Sequence, residues 1–242
     1  MSGPRSRPLL ALAGAAVLAC AQPPATPLEF EVASVKLVEP RMGSHAVGLR
    51  VDHGTATLQA ATVRQIIVQA YAVQRVLVMG GPTCYDDDQY DILAKAENPD
   101  ATPAQIRTML QNLLADRFKL VVHRATREVT VYSLTIGKNG SKLSAPSADQ
   151  AANVVVNDRG AVVFQNATLA GLVNTLANML DQPVVDRTGL TGHYTYTLDL
   201  RSDPSGPSLF TAVEEQLGLK LESGKAPVEV LLIDHVERPS AN

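Results

Sequence analysis

The segment Gly54-Thr-Ala-Thr-Leu-Gln-Ala-Ala-Thr62-Val63 returns 106 residues later as Gly160-Ala-Val-Val-Phe-Gln-Asn-Ala-Thr168-Leu169, with Gly, Gln, Ala and Thr in register. Self-similarity at a long fixed spacing is the mark of a repeated structural unit. Downstream, Tyr90-Asp-Ile-Leu-Ala matches Tyr194-Thr-Tyr-Thr-Leu at an offset of 104. Phe118-Lys119-Leu120 with Glu128-Val129 then matches Leu219-Lys220-Leu221 with Glu229-Val230 at an offset of 101. The shrinking offset is what small deletions in a second copy require.

Periodicity assigns each copy the order strand, helix, strand, strand, helix, strand, strand. Thr55–Ala60 alternates as a strand, and Thr62 is placed to cap a helix whose apolar stripe is Val63, Ile66, Ile67, Ala70 and Tyr71. Arg75–Met79 and Tyr90–Ala96 read as strands. Thr102-Pro103 opens a helix with Ile106, Met109, Leu110, Leu113 and Leu114 on its buried face. Phe118–His123 and Val129–Ile136 read as a hairpin-like pair. In the second copy Thr168 caps a helix through Leu169, Leu172, Val173, Leu176 and Leu180. Val184-Val185 and Tyr194–Leu200 are strands, and a helix with Leu209, Phe210, Val213 and Leu217 stops at Gly218, the expected left-handed cap. Leu219–Glu222 and Val228–Val236 close the chain as strands.

Before both copies, Phe30-Glu-Val-Ala-Ser-Val-Lys36 alternates cleanly and has no counterpart ahead of the second copy, so it adds to a sheet edge. The fold class is α+β: two tandem similar units of βαβ-βαβ type, helices packed on mixed or antiparallel sheets. The units span 28–139 and 153–239, with the Ser-, Ala- and Gly-rich stretch 140–152 as an exposed linker.

At the N-terminus, Arg5 and Arg7 precede the apolar run Leu9 to Ala21, long enough for a signal h-region and too short to span a bilayer. Two processing routes are open. Ala19-Cys20-Ala21 is a cleavage site that ends a signal peptide of residues 1–21, and Val17-Leu18-Ala19-Cys20 is a lipobox that ends at Ala19 and lipidates Cys20. Leu18 is unusual in a lipobox, which favours the first. Residues 22–27 form a proline-rich spacer in either case. Without residues 1–21, 19 bases stand against 24 acids, which argues against nucleic acid as a partner. Aromatic residues make up 4% and Trp is absent, so stacking platforms for bases or sugars are scarce. Any membrane contact is limited to a lipid at Cys20.

Five blocks together resemble an uncharacterised family of exported proteins from soil bacteria that carries a domain of unknown function. They are Phe30–Lys36, Gly80-Gly81-Pro82, Leu114-Ala-Asp-Arg-Phe-Lys-Leu120, Val184-Val-Asp-Arg-Thr-Gly-Leu-Thr-Gly192 and Gln216-Leu-Gly-Leu-Lys-Leu221. The resemblance covers nearly all of 28–240 and implies export without an activity. Some relatives look like appendages to a membrane sensor-peptidase, which implies extracytoplasmic sensing. Thr83-Cys84 departs from the family, where an apolar or aromatic residue is usual. A capped helix running into Leu-Gly-Leu-Lys-Leu221, then Val-Glu-Val-Leu-Leu-Ile233, is also similar to the short N-terminal domains of secretins and TonB-dependent receptors. That likeness implies binding of other proteins.

Signatures of catalysis are missing: no H-E-x-x-H, G-x-S-x-G, phosphate loop or dinucleotide fingerprint occurs. The five histidines, His45, His53, His123, His193 and His235, lack ligand spacing, so no metal or other cofactor is expected. Asp86-Asp87-Asp88 with Asp91 lacks the alternation and glycine of a calcium loop and reads as a polar turn. Cys84 has no intramolecular partner and reads as a small turn residue. The most motif-like stretch is Asp186-Arg187-Thr188-Gly189-Leu190-Thr191-Gly192, with Gly80-Gly81 in the corresponding place of the first copy. It reads first as a turn stabilised by Asp186, and second as a loop presenting Arg187 to a carboxylate or peptide.

The expectation is a non-enzymatic extracytoplasmic interaction or sensing module that engages another envelope protein or peptide by a sheet edge. Two alternatives are a hydrolase with an unconventional site near Asp86–Asp91 or Asp186–Arg187, and a periplasmic small-ligand binder with an apolar pocket between the copies.

Overall fold

A computed structural model describes residues 28–39, 48–147, 152–156, 161–199 and 208–239. The signal segment, Cys20 and the spacer lie outside the described residues, as do the side chains of Thr83 and Cys84. In the first half come β1 (Phe30–Val38), β2 (Arg50–Asp52), β3 (Thr55–Thr62), α1 (Val63–Tyr71), β4 (Val78–Gly80), β5 (Gln89–Ala96), α2 (Pro103–Arg117) and β6 (Val121–Ile136). The second half holds β7 (Asn153–Val156), β8 (Val162–Thr168), α3 (Leu169–Leu180), β9 (Val184–Asp186), β10 (His193–Leu198), α4 (Leu209–Leu217) and β11 (Leu219–His235). The fold is α+β with mixed and antiparallel sheets.

Helix starts follow the expected chemistry. The Thr62 hydroxyl accepts the Gln65 amide at 3.3 Å, and the Gln65 carbonyl accepts the Thr62 amide at 2.8 Å, a reciprocal cap that Thr102 and Gln105 repeat on α2. Thr168 and Ser208 cap α3 and α4 in the same way through one bond each. Most residues of the forecast stripes are buried, with Tyr71, Leu180 and Leu209 half-buried, while Phe210 lies exposed and Ala212 fills the core position in its place. Phe210 instead meets the Tyr132 ring edge-on at 5.3 Å.

The outer sheets are β1-β5-β3-β2 in the first half and β10-β8-β7 in the second. Both centre on an antiparallel pair with a bulge, where Ala60 and Asn166 take left-handed backbone angles of 48° and 47°. At each bulge the freed amide is caught by a side chain of the neighbouring strand. Asp91 accepts Ala60 N at 2.8 Å, and Thr195 accepts Asn166 N at 3.3 Å.

The middle sheet departs from expectation. The segments read as hairpin-like pairs are single strands, β6 of 16 residues and β11 of 17, and they pair with each other from Leu219↔Ile136 to His235↔Val121. Polar residues around Thr126 and Ser223-Gly224-Lys225 imitate turns because the middle of this ribbon is solvent-exposed. The third strand, forecast over Arg75–Met79, is a 3₁₀ turn at Arg75–Leu77 followed by β4.

Order in this sheet is β4-β11-β6-β9, so each half lends its short strand to the other half's long one. β4 runs parallel to β11 with Val78 opposite Leu231, and β9 runs parallel to β6 with Val184 opposite Tyr132. Gly80 permits this approach, since a Cβ there would sit 3.0 Å from the Ile233 carbonyl oxygen. Gln74 ties the halves again, donating to Val184 O at 2.6 Å and accepting Val184 N at 3.0 Å. Each core therefore borrows from the other half. Leu231 and Val236 join α1 and α2, while Leu134 joins α3 and α4.

Leu134→Ala removes a fully buried side chain from the second core although it lies in the first half, and should cost about 2–5 kcal/mol. Urea unfolding followed by circular dichroism and by tyrosine fluorescence should give one coincident transition, and two separated steps would contradict the shared cores.

Candidate functional site

The Asp186–Gly192 loop is a closed turn. Asp186 Oδ1 accepts both the Thr188 amide and hydroxyl at 2.8 Å, and Thr188 Oγ1 accepts the Leu190 amide at 3.1 Å. Thr188 is 9% exposed, and Arg187 N donates to Leu134 O at 2.9 Å, extending the β9 pairing by one residue. Gly189 and Gly192 supply the positive φ that the turn needs. The Arg187 side chain is exposed and has no ion-pair partner among the described residues. Gly80-Gly81 likewise closes β4 against Ile233.

The acidic group around Asp86 is dispersed among structural partners. Arg64 holds Asp86 through Nε at 2.6 Å and also donates to Val78 O at 2.8 Å, Arg238 holds Asp88 at 2.8 Å, and Asp91 serves the β3 bulge. His53, His123 and His235 each sit in an exposed pair, with Asp52, Asp234 and Glu237. Among the described residues no histidine hydrogen-bonds to Asp86, Asp91 or Asp186, and no group of three or more metal-ligating side chains occurs. The Tyr196 hydroxyl is buried without a hydrogen-bond partner, and burial raises its pKa. It stacks on Phe164 at 4.7 Å and packs in the second core.

Two clefts among the described residues each lie on a single half. One of about 390 Å³ lies between α4 and residues 139–142. Another of about 380 Å³ runs between the start of β1 and α2, bordered by Glu29, Phe30, Glu31, Met109 and Asp116.

That second cleft adjoins β1, the outer strand of its sheet among the described residues, which pairs with β5 from Phe30↔Ala96 to Val38↔Gln89. A bulge at Glu31 steps the register, because Phe30 faces Ala96 while Val32 faces Lys95. Val32 and Leu37 are 61% and 64% exposed, on opposite faces of the strand. Glu29 and Glu31 have no ion-pair partner among the described residues, whereas Asp116 is met by Arg117 at 3.4 Å and Lys119 at 3.8 Å. Asn112 fixes the strand's entry by donating to Leu28 O at 2.8 Å.

Several other edges are closed or blunted, whereas β7, the outer strand of the β10-β8-β7 sheet, carries exposed Val154. On β10, Ser144 exchanges backbone bonds with Thr195 at 3.1 and 2.8 Å, taking the place that β1 holds on β5. So the stretch read as an exposed linker supplies, at Ser144, the counterpart of β1 thought to be missing. β2 has three residues, two of them charged. Gln74 covers β9, and the open stretch of β11 carries Glu222, Lys225, Pro227 and Glu229.

Asp186→Ala should lower stability by about 1–2 kcal/mol by freeing turn donors, while Arg187→Ala should stay within about 0.5 kcal/mol. Denaturant midpoints for the two variants test the turn reading, and the reverse order would contradict it.

Among the described residues no helix is long and apolar enough to cross a membrane. Neither a curated protein nor a solved structure matches the chain significantly. The model of a family described as "Protein of unknown function (DUF3738)" matches residues 64–236, from the first turn of α1 to the end of β11. That span exceeds half of the chain, which therefore belongs to this family of proteins of unknown function.

Proposed function

We propose that this protein is a non-enzymatic extracytoplasmic interaction module, part of a sensing or envelope assembly, that receives an extended strand of another protein along β1. The observation that carries this reading is the exposure of the apolar side chains Val32 and Leu37 on β1, the outer strand of its sheet among the described residues, beside the α2 cleft. A strand added there gains main-chain hydrogen bonds, and its alternate side chains meet exposed apolar groups. Export rests on Arg5, Arg7 and the apolar run to Ala21. The likeness to secretin and TonB-receptor modules points the same way. We further read the two halves as descendants of one unit, since bulge, catching side chain, cap and borrowed strand recur in both.

A photo-crosslinking amino acid placed at Leu37 or Val32, in cells exporting the chain, should yield protein adducts, whereas the same group at exposed Met179 on α3 should not. Absence of adducts at both β1 positions, or equal adducts at Met179, would refute an edge function. Residues 1–27 fused to a reporter active only after export should give activity, and an inactive fusion would remove the extracytoplasmic part.

A further inference from the structure

We draw no further inference here: the strongest candidate, the apolar surface patch at exposed Val154 on β7, the outer strand of the β10-β8-β7 sheet, carries nothing because nothing in the structure shows what covers it.

Discussion

The antiparallel pairing of β6 with β11 holds the molecule together, because β4 and β9 attach to these two strands and their side chains enter both hydrophobic cores. Running from Leu219↔Ile136 to His235↔Val121, it joins segments about a hundred residues apart, so neither half can complete its middle sheet alone. β4 and β9 tighten the exchange as parallel edge strands on the opposite half's long strand. Parallel pairing requires a crossover rather than a tight turn, and α3 lies within the one that links β6 to β9. Leu231 and Leu134 thereby enter cores built mainly by the other half.

Local chemistry was legible in the sequence wherever a single residue decides an outcome. Thr62, Thr102 and Thr168 cap as their spacing requires, and the stripes of α1, α2 and α3 are buried where a period of three to four places them, apart from half-buried Tyr71 and Leu180 at the helix ends. What stayed hidden depends on contacts between distant segments. The ribbon's exposed middle is polar on both strands, so Ser223-Gly224-Lys225 imitates a turn in sequence although Tyr132, Val131 and Thr130 face it in the sheet. Alignment set Phe118 against Leu219, yet the structure puts Lys119, with φ 49°, in the place of Gly218, with φ 66°. Those two stand 99 residues apart, the spacing that also separates Tyr132 from Leu231, where the borrowed strands attach. Identity of letters misled there because glycine's left-handed role was filled by lysine.

Several residues rich in chemical potential bond the backbone. Asp91 quiets a bulge amide, Asp186 closes a turn, and Arg64 spans a carboxylate and a carbonyl. Each makes up for a main-chain group that the strand geometry left unpaired, and such groups are costly when buried. A reader scanning for acids and bases meets the same residue types either way. Only the partners distinguish a turn from a site.

Edge strands carry the remaining distinction. Proteins usually blunt an open edge with charges, proline, short length or cover, and this chain does so at β2, β9, β10 and β11 by four different means. β1 has only Glu31 and Lys36 within its nine residues, and those charges are opposite in sign and near opposite ends. On an edge meant to repel neighbours, like charges along its length would act against any second strand, and the residues of β1 lack that pattern.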